Sequence, residues 1–317
     1  VWDGANAGDL TGLTDELAAC VALTDLDSVV THADELTLLA ALAEPVETAM
    51  YWQEPDDEDL ALADQTVRDA LLPVSEAVTT APAPSWWSTP AGTARQQYVE
   101  WLAPGGGPPS VTGATAELAA WRAALTEEEQ AARTQPKDLT ASLSGHWWST
   151  PVPSRLPSTT RSLPGIGAVG LAMVEDGLDW KEAHCWPMKP QAGARVYEIS
   201  RPVEWTELVA RYSIDVTNCR RHDWWRATGW DGHWLIPDFA AVAEDYDAVH
   251  VSLAGYLATA GRALRVDDAC TILAGWNPDQ TYWLTDMLTL AGPATKWAKL
   301  GEEPLGWTQC RVGVQPK

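Results

Sequence analysis

The sequence predicts an α+β fold: an acidic, mainly helical region over residues 1–135 and a mixed, Trp-rich region over residues 136–317. Two observations carry this. The first 80 residues place apolar side chains at three- and four-residue spacings, rich in Ala and Leu, which is the period of a helix. From about residue 136 Pro, Gly, Ser and Trp become frequent and the periodic stretches shorten to strand length.

Taken in order, the stretch from Leu13 to Trp52 reads as helices, with Pro45 starting or kinking one of them. DDEDLALADQTVRDALLPVSEAV is a further helix with acids at its positive end. TTAPAPSWWSTPAG is a loop, ARQQYVEWL a short helix and APGGGPPS a linker. TAELAAWRAALTEEEQAART is a helix that Thr115 caps, with Trp121 and Leu125 sharing a face. ARVYEIS reads as a strand, and Ser200 with Pro202 opens the helix VEWTELVARY. Asp231-Gly232 is expected to turn a hairpin between two Trp-bearing arms. Asp238 caps the helix FAAVAEDY, and AVHVSLAGYL reads as a strand running into a turn. CTILAGW and TYWLTDML flank the turn Asn277-Pro278-Asp279.

The formal charge is −23, and it is uneven. Residues 1–80 hold 18 Asp and Glu against Arg68 as the one base, a net of −17. Such a field repels a phosphate backbone, so no nucleic-acid partner is expected. A protein partner docking on the acidic N-terminal region fits the same charge. No apolar run approaches the ~20 residues of a membrane span, so no membrane is expected either. Five scattered cysteines without a CxxC read as reduced thiols, and the expected compartment is the cytoplasm.

The most distinctive stretch is CRRHDWWRATGWDGHW, residues 219–234. Six of the 21 Lys and Arg residues fall between Arg195 and Arg226, and nine of the 19 Trp between residues 147 and 234. Arg offers a planar fork for sulfate, phosphate or carboxylate, and Trp a face for a ring or a cation. Arg220, Arg221 and Arg226 are therefore the candidate anion ligands. Trp224, Trp225, Trp147 and Trp148 are the candidate walls of a substrate pocket. Asp223, inside this group, suits a fixed electrostatic role. WWSTP occurs twice, at Trp86–Pro90 and Trp147–Pro151, without matching flanks.

A second cluster is DYDAVHVSLAGY, with Asp245, Asp247, His250, Ser252 and Tyr256. On a strand His250 and Ser252 share a face, and His is the side chain whose ordinary pKa suits acid–base work. His250 and Asp247 are the candidate proton movers, with Ser252 beside them on the substrate. Asp279 and Gln280 read as turn residues. GIGAVG at 165–170 matches a dinucleotide fingerprint, but no βαβ context surrounds it. The six histidines form no HExxH and no i, i+4 pair, so neither a metal nor a cofactor is expected.

The run RVYEIS…VEWTELVARY…RRHDWWRATG…GWNPDQTYWLTD resembles a family of uncharacterised Trp-rich actinobacterial proteins over roughly residues 145–286. The resemblance implies source and compartment, and a place in small-molecule biosynthesis, without assigned catalytic residues. A thinner likeness to ADP-ribosyltransferases rests on Arg195, Ser252 and Asp279, and the late Glu usual there is missing from GWNPDQ.

The expected function is an enzyme of lyase or transferase type acting, without metal, on a small amine that bears a sulfate or phosphate. Substitution or cyclisation would expel that group. The alternatives are a non-catalytic acidic interaction protein and an ADP-ribosyltransferase-like enzyme using NAD.

Overall fold

The computed structural model describes residues 7–310 except 33, 82, 92–94, 102–106, 153, 178–179, 302 and 304. The apolar spacing of the first 80 residues becomes α1 (Ala7–Ala22), α2 (Leu26–His32), α3 (Glu35–Glu47), α4 (Asp57–Ala63) and α5 (Gln65–Thr80). Asp34, Asp56 and Asp64 cap α3, α4 and α5 through their side chains. Pro45 sits inside α3, within its last turn. α1 and α2 pack on α5, while Leu39, Ala43 and Val46 of α3 enter the main core.

The stretch ARQQYVEWL is not a helix. It forms β1 (Gln96–Trp101), which pairs with two neighbours and so lies inside the sheet. Ladder bonds on both edges outweigh a local helical preference that nine residues cannot sustain alone. α6 (Ala114–Ala132) follows, with Trp121 and Leu125 buried on one face. Its cap is Gly113 at φ 88°, and not Thr115. The Asp286 carboxylate accepts the Gly113 and Ala114 N–H groups, so a distant side chain does the capping.

The second half supplies β2 (Ser158–Leu163), β3 (Gly167–Ala168), β4 (Glu182–Pro190), β5 (Val196–Ile199), α7 (Pro202–Arg211) and β6 (Ser213–Asp215). The GIGAVG stretch closes the tight turn after β2, forms β3 and runs into a 3-10 turn (Val169–Leu171), with Gly165 and Gly167 at φ 81° and 87°. Arg201 stands at the N-cap of α7, and Glu204 accepts the N–H groups of Ser200 and Arg201. Pro202 opens the helix as its sequence predicts.

The Arg–Trp run is α8 (Thr217–Thr228), closed by Gly229 at φ 71°. The expected hairpin at Asp231-Gly232 is absent, because the residues before it are drawn into a helix that buries Trp224 against Trp234. β7 (Leu235–Pro237), α9 (Phe239–Asp245), β8 (Ala248–Val251) and α10 (Leu253–Thr259) come next. The stretch after β8 is a helix, not a turn, and Ser252 is its N-cap. The chain ends with β9 (Leu264–Val266), β10 (Ala269–Thr271), β11 (Gln280–Trp283), β12 (Leu288–Leu290), β13 (Thr295–Lys299) and β14 (Trp307–Gln309).

These elements make the α+β fold. The principal sheet runs β14-β13-β4-β1-β2-β11-β8-β5, with β12 on β4 and β3 on β2. Its pairs are antiparallel except β5 with β8. Because β1 pairs with β2 and β4, the sheet draws on both sides of residue 135. Trp205, Trp224, Trp234, Trp276 and Trp283 are fully buried, so much of the Trp excess is core. Among the described residues no helix is long and apolar enough to cross a membrane.

Candidate functional site

Pairing across the sheet gathers a polar row. Glu198 of β5 lies opposite His250 of β8, His250 opposite Thr281 of β11, and Thr281 opposite Thr159 of β2. Residues opposite one another share a face, so the four side chains stand on one side of the sheet. Arg161 lies two residues along β2 from Thr159 and joins that face. Asp279, just before β11 at φ 58°, turns its carboxylate into the row.

His250 bridges two carboxylates. Its Nδ1 is 2.6 Å from Glu198 Oε2 and its Nε2 is 3.2 Å from Asp279 Oδ1. Arg161 Nε donates to the same Asp279 oxygen at 2.6 Å, while Thr160 Oγ1 and the Arg161 N–H donate to Oδ2 at 3.1 and 2.8 Å. The rest of the Arg161 guanidinium is held by Thr89 Oγ1 and by the carbonyls of Thr89 and Pro90, under the Trp86 ring. The first WWSTP loop thus covers the row, and Ala91 N–H donates to Glu198 Oε1 at 3.0 Å.

Burial is graded along it. His250 and Asp279 side chains are 1% exposed, and Glu198 is 28% exposed. Burial alone would push the His250 pKa down, but its bonds to Asp279 and Glu198 outweigh burial and hold it above its ordinary value. Burial would raise Asp279, but His250 and Arg161 hold its carboxyl below the usual range. Both imidazole nitrogens then donate, and the row pairs two cations with two carboxylates. Glu198 is its outlet to solvent. Its two oxygens are fixed by Ala91 and His250, which leaves a rigid carboxylate able to hold a cation or exchange a proton with it.

The other sequence-predicted residues lie elsewhere and have internal partners. Asp247 accepts from the Arg195 N–H and Nε and from Thr285, which anchors β8 beside β5. Burial raises Asp247, and these bonds bring its pKa below the ordinary value. Ser252 is wholly buried, and its Oγ accepts the Gly255 N–H as the cap of α10. Arg195, Ser252 and Asp279 therefore have separate partners and share no described pocket. Asp245 accepts from Arg211 and Tyr212.

On α8, Arg220 donates to Glu128 at 2.7 Å, and Arg226 pairs with Asp223 and donates to the carbonyls of Trp52 and Leu143. Asp223 also accepts the Gly145 N–H, so it fastens a loop instead of facing a cleft. Arg221 donates to Asn218 Oδ1 and to the carbonyls of Ala132, Gln135 and Pro136. Trp224 is buried, with its N–H on the Trp147 carbonyl. Trp147 packs on Tyr51 and Trp52, Trp148 donates to the Val152 carbonyl, and Trp225 is part-buried. These are the contacts of a helix clamped into its surroundings. They arise because α6 presents Glu128 and Glu129 beside α8, a pairing invisible in the sequence.

Sequence reasoning missed Glu198 and Arg161. The available signal was a charge at an inward position of a short β run: Glu within VYEI and Arg within STTRSL. Among the described residues no group of three His, Cys, Asp or Glu is disposed to hold a metal. Comparison with protein families, curated proteins and solved structures returns no match.

Proposed function

We propose that the chain is an enzyme performing acid–base chemistry on a small amine-bearing molecule, with Glu198 meeting the substrate and His250 positioning it. The supporting observation is the bridge of His250 between two carboxylates, of which Glu198 alone reaches solvent. A carboxylate held by the Ala91 N–H on one oxygen and by His250 on the other is fixed in position, and such preorganisation is what an acid–base group needs. The acid-rich chain draws a cationic substrate toward it. Sulfate or phosphate departure has no support at Arg220 and Arg226, which are committed to Glu128 and Asp223.

The experiment is a screen of small primary amines for saturable binding and mass change, in the parent and in Glu198→Gln. An amine that binds and turns over in the parent but not in a folded Glu198→Gln supports the reading. Amines that bind both proteins alike, with turnover unchanged, refute it.

A second reading has one observation of its own. Leu36, Leu62 and Leu72 are exposed on α3, α4 and α5, and Leu23 and Met50 in the segments that follow α1 and α3. An apolar surface set among carboxylates suits a basic amphipathic protein partner. Binding whose strength falls steeply with salt would support that reading.

A further inference from the structure

α6 and α9 are joined where α9 begins. Trp121 meets the Phe239 ring edge-on at 5.4 Å, and Arg122 pairs with Asp238, the buried cap of α9. Around that junction the side chains the two helices present are short: Ala119 and Ala123 on α6, Ala240 and Ala243 on α9. The space they leave is a groove of about 690 Å³, with the buried Leu118 and Leu284 in its lining. A volume of this order, with apolar walls and a few polar groups, is what binding sites for small molecules offer.

The size of an occupant follows from α9. Its seven residues rise about 10 Å, a wall too short for a partner helix of several turns and suited to a short alkyl chain. The charge of an occupant follows from the carboxylates. Glu127 and Glu244 line the groove, are exposed, and have no hydrogen-bond or ion-pair partner among the described residues. Arg122 lines it too, but Asp238 balances its charge. The hydroxyls of Thr126 and Thr285 are spent on the Arg122 carbonyl and on Asp247. Two unbalanced carboxylates beside an apolar wall are the complement of an ammonium on an apolar body.

We propose that the α6–α9 groove binds a small cationic amphiphile, an alkyl or arylalkyl ammonium. Its apolar body lies along Ala119, Ala123 and Ala243, and Glu127 and Glu244 hold its charge. The formal charge of −23 raises the local concentration of such cations. The groove shares no residue with the Glu198 row, so this site goes beyond the proposed function, and either can fail without the other.

The test is a calorimetric titration of the full chain with n-butyl-, n-hexyl- and n-octylammonium chloride. Ammonium chloride at matched ionic strength, hexanoate and hexanol are the comparators. The expected result is saturable binding that strengthens about threefold per added methylene, with hexylammonium bound about fivefold tighter than hexanoate. Ala123→Phe fills the groove from an exposed position and is expected to abolish binding. Glu127→Gln combined with Glu244→Gln is expected to bring hexylammonium down to the affinity of hexanol. Glu198→Gln is expected to bind as the parent does. Should Ala123→Phe fail to fold, the paired Gln variant, which changes exposed groups alone, carries the test. Unchanged hexylammonium affinity in either overturns the site. So does equal binding of hexylammonium and hexanoate by the parent, which marks an apolar surface without charge selection. Loss of binding in Glu198→Gln would place the ammonium at the row and overturn the groove. The absence of saturable binding up to the octyl chain overturns it too, and a basic amphipathic peptide that binds instead would make the groove a protein interface.

Discussion

Glu198 and His250 face each other across the parallel pair β5–β8, with Oε2 2.6 Å from Nδ1. The contact ties a part-exposed carboxylate to a buried imidazole, which Asp279 holds from the other side. Charge alternates along the row from Arg161 through Asp279 and His250 to Glu198. Removing His250 takes the shared cation from Asp279 and Glu198, and removing Asp279 leaves the Arg161 guanidinium without a carboxylate.

His250→Ala is expected to cost about 3–5 kcal/mol, because it leaves Asp279 and Glu198 without their shared cation. The pH dependence follows from the directions of the shifts. The folded pKa of His250 is raised, so its contribution is complete below the unfolded value and is lost as pH rises through the folded one. That of Asp279 is lowered, so its contribution is lost as pH falls through the folded value. Urea unfolding of parent and variant should differ most between those limits. A difference that is flat with pH would mean that the row is not charged as described.

Asp279→Asn isolates the charge from the backbone. Asn tolerates the left-handed conformation at φ 58° as Asp does. The variant should lose about 3 kcal/mol through the unpaired Arg161 and should lower the His250 pKa. Histidine NMR titration reads the second effect directly. An unshifted imidazole resonance would contradict the Asp279 bond.

Glu175 follows the direction of His250 and opposes that of Asp279. It is buried near Tyr51 and Tyr256, whose hydroxyls stand 3.2 Å apart where the segment after α3 meets α10. Burial pushes its pKa up from 4.5 to about 8. The native state therefore keeps a proton that the unfolded chain releases. The contribution is complete below about pH 4.5, and it declines as pH rises toward 8. Glu175→Gln mimics the protonated form. It should be near neutral at pH 5 and more stable than the parent by on the order of 2 kcal/mol at pH 8. Thermal melts across that range check it, and parallel curves would refute it.

Gly255→Ala tests the seating of α10. A Cβ there would lie 2.1 Å from the Ile199 carbonyl oxygen at the end of β5, a backbone atom that cannot swing aside. The expected loss exceeds about 3 kcal/mol, with the Glu198–His250 geometry disturbed next to it. Denaturant titration measures the loss. A neutral result would show that α10 does not rest on β5.

The helical character of the first 80 residues and of α6 was legible because a 3.6-residue apolar period is a local signal; the stretch read as one helix after Trp52 is broken at Asp64 into α4 and α5, where that side chain caps the second. His250 was legible too, as a histidine on a short apolar strand. The WWSTP loop over the row was visible as a loop, but not as its cover. β1 was read as a helix, since the nine residues hold no information about the two strands that accept it. Glu198 and Arg161 passed as ordinary strand charges, because each gains its meaning from a neighbour 52 or 118 residues away in the chain.

By itself the sequence determined the fold class, the acidic helical start, the Trp-rich second half and residues 219–234 as a chemically unusual stretch; that much of the Trp is core was decided by the tertiary structure. The tertiary structure decided which charges meet. It spent Arg220 and Arg226 on carboxylates and left Arg221 with carbonyls. It set His250 between Glu198 and Asp279. The physical reason is range. Helix periods and caps act within a few residues, whereas the pairing of a buried charge depends on strand register and helix packing, which only the folded chain fixes.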